Sequence, residues 1–249
     1  LPTRHEQLDL PRLLPTDMGD MRRKRRVPYD SNLSPQLKEA CEEALNNGEQ
    51  AILFQNRRGF APMVECRLCA WTPRCTRCDV SLTYHKLTNR LVCHYCGYEQ
   101  EVPTRCPACG EASIAIHGFG TERIEEEVAR TFPGRTVARM DLDTTRSRKA
   151  YEQIISDFEQ QKSQILIGTQ MITKGLDFAH VSIVGILSAD TLLNHPDFRA
   201  HERAFQLMTQ VAGRAGRKNR QGSVILQTAQ PQHPVIAQVR RHDYAEMNA

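Results

Sequence analysis

The sequence lacks any run of about 18 consecutive apolar residues, the length that an α-helix needs to span a bilayer. Its first residues, Leu1 to Glu6, also lack the charged, apolar and small-residue sections of a signal peptide. We therefore expect a cytoplasmic protein with no membrane partner.

An excess of charge of one sign is also missing. The 33 Lys and Arg residues nearly balance the 29 Asp and Glu residues, so the formal net charge is only +4. This charge permits a polyanionic partner but does not require one. The length of 249 residues allows one substantial core and a second small module.

Cysteine, in contrast, is abundant and clustered. Eight of the nine cysteines form four Cys-x-x-Cys pairs within residues 66–109, which indicates metal binding in a reducing compartment rather than disulfides. Eight thiolates match two tetrahedral sites of four cysteines each, so structural zinc is favoured, with iron–sulfur ligation as the alternative. The ninth, Cys41, falls at helical spacing among apolar residues and is expected in the core.

The spacing of the pairs also predicts how they share the metals. Fourteen residues separate Cys78 from Cys93, close to the spacer expected when two Cys-x-x-Cys pairs hold one zinc. The central pairs are therefore expected to form an inner site, and the flanking pairs an outer site. The inner set is Cys75, Cys78, Cys93 and Cys96, and the outer set is Cys66, Cys69, Cys106 and Cys109.

Other side chains lie between the cysteines. His85 and His94 are expected at the surface or behind the ligands, because eight cysteines already fill two coordination shells. Four aromatic residues alternate with arginines, a mixture that suits base stacking or protein docking but also simple packing around the metals. Both interpretations stay open for these aromatic residues, which are Trp71, Tyr84, Tyr95 and Tyr98.

Outside the cysteines, helix and strand patterns alternate. Ser34-Pro35 suits the start of a helix, and the apolar run 51–54 that follows is typical of a strand covered on both faces. Thr121 is placed to cap a second helix over about 122–132. A third helix is expected at 151–158, and further strands at 137–140, 165–167, 181–187 and 223–227. This alternation predicts an α/β fold with a mostly parallel sheet.

The same patterns divide the chain into segments. Residues 1–30 contain four prolines and a basic run at 22–26, and are expected to form a linker or arm. Residues 31–62 and 113–230 are expected to form one α/β lobe. Residues 63–112 would be a zinc-binding insertion that contacts the lobe only through its two chain crossings. Residues 231–249 would begin a C-terminal region.

Two loops of the lobe carry candidate functional residues. The loop 168–178 follows a strand at the edge where parallel sheets bind ligands, and Thr169 there is suited to hold a phosphate of a nucleic-acid strand. At 210–217, Arg214 and Arg217 stand among small residues, a setting that suits contact with a polyphosphate. An ordinary basic helix end is the alternative for these arginines.

Here the sequence resembles a family. GTQMITKGLDF at 168–178 and QVAGRAGR at 210–217 resemble motifs five and six of superfamily-two helicases, and QNRRGFAP at 55–62 resembles the opening of their second RecA-like lobe. Together with the eight-cysteine insertion, these motifs are most similar to the primosomal replication-restart helicases. The resemblance implies a RecA-like parallel-sheet helicase lobe with an inserted zinc-binding domain, and residues 1–30 as the inter-lobe linker or arm.

The resemblance also implies residue roles. Arg217 and Arg214 would be catalytic arginine fingers, and Asp177, Gln210 and Gly213 would bind ATP. A second set of residues would hold the DNA backbone. That set is Asn56, Arg57, Arg58, Thr121 and Thr169.

Activity and partners follow from the same resemblance. It implies an ATP-dependent 3′-to-5′ DNA helicase that recognises stalled or repaired forks and restarts replication by primosome assembly. Two Zn²⁺, ATP and Mg²⁺ would be its cofactors. Its partners would be forked or single-stranded DNA, replication-restart and primosome proteins, and single-stranded-DNA-binding protein.

Two motifs of a complete helicase are absent. The chain contains neither the Gly-x-x-x-x-Gly-Lys-[Ser/Thr] loop that cradles ATP phosphates nor the acidic motif that organises Mg²⁺. The 249 residues are therefore expected to be inactive alone. The alternative function is a non-enzymatic, zinc-dependent module that binds DNA or protein.

Overall fold

A computed structural model describes residues 10–29, 31–55, 63–78, 80–85, 88–117, 121–141, 144–173, 178–195, 197–216 and 221–241. No helix among these residues is long and apolar enough to cross a membrane. The strands are β1 (Arg12–Asp17), β2 (Gln50–Phe54), β3 (Met63–Cys66), β4 (Thr83–His85), β5 (Arg90–Val92), β6 (Glu99–Glu101), β7 (Ile114–His117), β8 (Val137–Met140), β9 (Ile165–Gly168), β10 (Val181–Ile186) and β11 (Ser223–Thr228). The helices are α1 (Met18–Arg23), α2 (Pro35–Asn46), α3 (Thr121–Thr131), α4 (Arg148–Glu159), α5 (Asp190–Leu193), α6 (Ala200–Ala212) and α7 (Pro234–Arg241), with a 3-10 turn at Gln170–Thr173.

Six strands form one parallel sheet, in the order β1-β11-β10-β2-β9-β8. Helices cover both faces, so successive residues of a central strand enter two different cores. In β2, Ile52 and Phe54 pack with α4 and α6 on one face, whereas Ala51 and Leu53 pack with α2 and α3 on the other. The α/β fold predicted from the sequence is confirmed, because continuous apolar runs require cover on both faces.

Local signals set the ends of the helices. The Ser34 hydroxyl accepts a hydrogen bond from the Leu37 amide (3.2 Å) and Pro35 opens α2, as the Ser-Pro pair predicts. Ser147 caps α4 in the same way through the Ala150 amide (3.1 Å). These caps leave the buried faces of both helices free to pack on the sheet.

Both ends of the described chain belong to the lobe. Residues 12–17, expected in a linker or arm, are strand β1, which pairs in parallel with β11 at the edge of the sheet. An edge strand tolerates Pro15, which removed the strand signal from the sequence. Helix α7, expected to begin a C-terminal region, buries Val235, Ile236 and Val239 in the lobe core.

The cysteine-rich segment folds as a small antiparallel module. Strands β4, β5 and β6 form one sheet, and β3 pairs with β7 to form a two-stranded ribbon at the base of the insertion. Because β7 covers 114–117, this ribbon extends past residue 112, the expected end of the insertion. The module has a small core of its own around Val64, Leu82 and Leu91.

Candidate metal centres and nucleotide-facing cleft

The four Cys-x-x-Cys pairs all adopt the same type of backbone turn. In each pair the amide of the first cysteine donates to the carbonyl five residues later, with N···O distances of 2.8 or 2.9 Å. The residue after the second cysteine is left-handed in three of the turns: Ala70 (φ 59°), Gly97 (φ 72°) and Gly110 (φ 77°). Position 79, its equivalent in the remaining turn, lies outside the described residues. This turn presents two thiols to one point, as a zinc knuckle does.

The knuckles combine into two clusters of four sulfur atoms. One contains Cys75, Cys78, Cys93 and Cys96, and the other contains Cys66, Cys69, Cys106 and Cys109, with all ligand atoms of a cluster within 4.8 Å of one another. Sulfur–sulfur distances are 3.5 Å for Cys75–Cys96, 3.7 Å for Cys66–Cys109 and 3.6 Å for Cys69–Cys106. A tetrahedral zinc with Zn–S bonds of about 2.3 Å places its sulfurs at nearly this separation. The structure thus assembles the two nested four-cysteine sets that the spacing predicts.

One thiol in each cluster is shifted towards ionisation, whereas burial raises the pKa of Cys69 and Cys109 and the hydrogen bond with Cys96 raises that of Cys78. Burial opposes ionisation of Cys66, yet hydrogen bonds from the Ser113 hydroxyl and from the Cys69 and Leu68 amides lower its pKa to about 7. The pKa of Cys75 is likewise about 7, since the Arg77 and Cys78 amides outweigh the effect of burial. Zinc binds thiolates, so these hydrogen bonds favour the form of the ligand that binds the metal.

The histidine and tyrosine side chains of the zinc module differ in their exposure to solvent. His85 and His94 lie with their Nε2 atoms 3.1 Å apart on the surface, and neither belongs to the two sulfur clusters. Tyr84 is buried in the module core, where its hydroxyl donates to Asn89 (3.0 Å), so packing explains it. Tyr95 is 58% exposed and is therefore available to a partner.

A cleft of about 250 Å³ with a mixed polar and apolar lining lies between the turn 170–173 and α6. Gln170 and Thr173 line it from the turn, and Gln206 and Gln210 line it from the helix. A Cβ atom on Gly168 would collide with the Ile172 side chain, so the glycine lets the turn fold tightly against the end of β9. The cleft therefore opens at the carboxyl edge of the sheet, where α/β proteins bind ligands.

Arg214 joins the two walls of this cleft. It follows Gly213, the C-cap of α6, and its half-buried guanidinium donates to the Thr173 carbonyl. The predicted ATP contact Gln210 is exposed in the cleft wall, three residues before Gly213. Two other predicted site residues, Asp177 and Arg217, lie outside the described residues.

Sequence reasoning missed a buried interface between the zinc module and the lobe. The Arg22 guanidinium donates to the Arg67 carbonyl (2.9 Å), and Arg67 in turn donates to the Tyr29 carbonyl (2.8 Å). On the other side, the Asn194 amide donates to the Ala70 carbonyl (3.4 Å). The expectation that the insertion touches the lobe only at its two chain crossings is wrong, because the outer knuckle is seated on α1 and α5.

Charged groups are buried beneath this interface. Burial, aided by the nearby Asp190, holds the pKa of Glu65 well above its usual value. Burial also raises the pKa of Asp190, whose carboxylate accepts hydrogen bonds from the Thr228 hydroxyl (2.7 Å) and the Ala229 amide (2.8 Å). The Arg22 guanidinium lies within electrostatic range of both carboxyl groups. Nothing in the basic run 22–26 distinguishes Arg22 from its exposed neighbours, so the sequence offered no signal for this role.

Comparisons with known proteins agree with both parts of this architecture. Residues 75–100 match the PriA DNA helicase Cys-rich region (CRR) domain, and residues 113–219 match the Helicase conserved C-terminal domain. Over 234 residues, 94% of its length, the chain is 49% identical to Replication restart protein PriA of Bacillus subtilis (strain 168). The chain belongs to the PriA family. This membership confirms the resemblance to the replication-restart helicases.

Other PriA relatives match over a similar range. Identity is 41% over 248 residues to the protein of Synechocystis sp. (strain ATCC 27184 / PCC 6803 / Kazusa), a match that covers 98% of this chain. It is 44% to the protein of Haemophilus influenzae (strain ATCC 51907 / DSM 11121 / KW20 / Rd), a match that covers 86% of this chain. The chain spans only 29% to 30% of the length of these three relatives.

The residues expected to contact DNA in a PriA-family lobe can now be placed in the fold where the structure describes them. Thr121 is fully buried and its hydroxyl donates to the Asp141 carboxylate, so the side chain is engaged inside the lobe, and its expected DNA contact stays a prediction. The residue closes the start of α3 against the end of β8. Thr169 follows β9 at the carboxyl edge but is 7% exposed. The remaining expected contacts, Asn56, Arg57 and Arg58, lie outside the described residues.

Proposed function

We propose that this chain supplies the second motor lobe and the zinc module of an ATP-dependent 3′-to-5′ DNA helicase that restarts replication at stalled or repaired forks. The cleft between the turn 170–173 and α6, joined by Arg214, carries the proposal. ATP and Mg²⁺ would bind between this cleft and a first lobe. Asp177, Gln210 and Gly213 would face the nucleotide.

The arginines supply the chemistry of this lobe. Arg217, with Arg214 beside it, would place positive charge near the transferred phosphoryl group, where an arginine finger contributes roughly 10³- to 10⁵-fold in rate. The hydrogen bond from Arg214 to the Thr173 carbonyl ties the end of α6 to the turn that follows Thr169. A change at the nucleotide would thereby reach the residues proposed to hold DNA, which are Thr169 and Asn56 to Arg58.

Two Zn²⁺ ions would hold the module together. When bound, each ion supplies a rigid link between two knuckles, and the eight cysteines are the ligands. Forked or single-stranded DNA, primosome proteins and single-stranded-DNA-binding protein are the proposed partners, in the cytoplasm. Because the zinc module is fixed to the motor lobe, it would move together with the lobe, which suits recruitment of these partners.

Reconstitution tests the lobe assignment. The chain alone should show no DNA-stimulated ATPase, because it has no Gly-x-x-x-x-Gly-Lys-[Ser/Thr] loop. Adding a separately purified first lobe of a full-length PriA-family protein should restore turnover, and adding that lobe with an altered phosphate loop should not. Turnover by the isolated chain would contradict the assignment.

A non-enzymatic role is the second candidate, and one observation favours it. Tyr95 is 58% exposed on a knuckle of the inner site, which suits docking of a protein or a base. If Tyr95→Ala weakens a partner's binding to the isolated chain while zinc content is unchanged, the module has a binding function of its own.

A further inference from the structure

The basic run 22–26 is fixed to the zinc module rather than loosely attached. Arg22 turns inward, where it donates to the Arg67 and Ser31 carbonyls (2.9 and 3.3 Å). The following residues fold into a tight turn in which the Arg25 amide donates to the Arg22 carbonyl (3.0 Å) and Arg25 is left-handed (φ 53°). The backbone of the run is therefore positioned before any partner arrives.

The other members of the run point to solvent. Arg23, Lys24, Arg25 and Arg26 are all exposed. One nearby carboxylate, Asp20, pairs with Lys24 at 2.8 Å and lies 4.0 Å from Arg23, so it offsets only part of the charge. The pKa of Asp20 is lowered, first by its hydrogen bond with Lys24 and also by the fields of Arg23 and Arg26, as expected beside excess positive charge.

An aromatic residue three positions after Arg26 lines a groove beside the outer knuckle. Tyr29 is 46% exposed, and its carbonyl is held by the Arg67 guanidinium. A groove of about 690 Å³ is lined by Tyr29, Arg67 and the chain from 111 to 116, which includes the acidic Glu111 and the 37% exposed Ile116. Exposed cations within a few residues of an exposed aromatic ring that lines an open groove match the way proteins hold a single strand, with phosphates on cations and a base on the ring.

We propose that Arg23, Arg25, Arg26 and Tyr29 form a second nucleic-acid site, which binds a single strand alongside the outer zinc knuckle. The proposal rests on the proposed function, since it requires a lobe that works on DNA. It differs from the contacts expected at Thr169 and Asn56 to Arg58, which belong to the motor motifs. Because the backbone of the run is already folded, binding does not have to order it, and this lower entropic cost favours a specific site over a solvated basic run.

Salt dependence of binding is the decisive measurement. Fluorescence anisotropy would follow the zinc-loaded chain binding a labelled oligo-dT strand of about 30 nucleotides, over a range of salt concentrations. The triple variant Arg23→Gln, Arg25→Gln, Arg26→Gln should lower affinity at least about tenfold at low salt and reduce the log–log salt slope by about 2, since each single-strand phosphate contact contributes about 0.7. The control variant Arg130→Gln, Arg148→Gln, Lys149→Gln removes the same charge from exposed positions on α3 and α4 and should change the slope little.

Tyr29 is tested separately from charge. Tyr29→Ala should weaken binding about fivefold or more without changing the salt slope, and Tyr29→Phe should restore it, because stacking needs only the ring. The Tyr29 carbonyl that holds Arg67 is unaffected by either substitution. Equal melting temperatures and zinc contents would show that the variants fold.

Three results would overturn the site. The first is no binding of oligo-dT by the wild-type chain at low salt, and the second is an equal loss in the basic triple variant and in the control. The third is a basic triple variant that keeps its affinity for oligo-dT but binds polyglutamate more weakly than the wild-type chain does. That result would assign the surface to an acidic protein. The reconstituted ATPase tests the motor-lobe assignment separately, so failure of this site can be told apart from failure of that assignment.

Discussion

Gly19→Ala tests the seating of the outer knuckle on the lobe. Gly19 lies within α1, where alanine usually stabilises a helix by up to about 1 kcal/mol relative to glycine. In this structure a Cβ at Gly19 would collide with the Leu68 carbonyl oxygen of the outer knuckle. The Asp17 carboxylate and the Ala229 side chain, 3.3 and 3.4 Å from the same Cβ, leave little room for the shift. The interface therefore predicts that Gly19→Ala lowers the stability of the protein, whereas helix propensity alone predicts that it raises it.

The size of the effect follows from the contact. Overpacking costs about 1 to 3 kcal/mol, and we expect the upper half of this range because the Leu68 oxygen belongs to the backbone and cannot rotate away. After subtraction of a helical gain of up to about 1 kcal/mol, the net loss of stability should be about 1 to 2 kcal/mol. For a chain of this length that corresponds to a melting temperature lower by about 2 to 8 °C. Urea and thermal unfolding of the zinc-loaded chain, followed by circular dichroism, would measure it.

A matched control separates the interface from helix propensity. Gln36→Ala, at an exposed position of α2, should change stability by less than about 0.5 kcal/mol. A Gly19→Ala chain that is as stable as wild type, or more stable, would refute the docking of the outer knuckle on α1.

Three further predictions concern the metals and the arginines. Elemental analysis of the purified chain should find two zinc ions per molecule, and a value near one or substantial iron would contradict the ligand assignment. Cys75→Ser should lose one zinc while the circular-dichroism signal of the lobe helices remains, because the interface residues Arg67 to Ala70 belong to the outer knuckle. In a full-length family member, Arg217→Ala should lower DNA-stimulated ATP turnover at least about a hundredfold with DNA affinity near wild type, and Arg217→Lys should not rescue it. Steady-state ATPase and anisotropy on the same samples check this role, which a parallel loss of DNA binding would disprove.

Much of the fold was predictable because its signals are local. The continuous apolar runs of β2 and β9, and the Ser34-Pro35 start of α2, depend on residues within a few positions of one another. The zinc ligands were predictable for the same reason, since each Cys-x-x-Cys pair forms its own turn. Even the nested pairing followed from one spacer length, between Cys78 and Cys93.

What the sequence did not predict concerns partners that are distant in the chain. β1 was assigned to a linker because Pro15 and the nearby basic run hide the strand, and only pairing with β11 reveals it. Likewise, only the fold shows that the hydroxyl of Thr121, an expected DNA contact, donates a hydrogen bond to Asp141, twenty residues away. Both outcomes depend on which surfaces meet after folding.

The sequence alone thus determined the class of fold, the two metal-ligand sets and the motor family, because these depend on periodicity, turn chemistry and short motifs. Only the tertiary structure decided that the zinc module is fixed to the lobe, through the hydrogen bonds of Arg22 and Asn194 to the outer knuckle, with Glu65 and Asp190 buried nearby. These residues come from three segments that lie far apart in the sequence, so no local pattern records their contact. Which polar groups are buried together depends on which segments pack against each other, and only the assembled fold shows that.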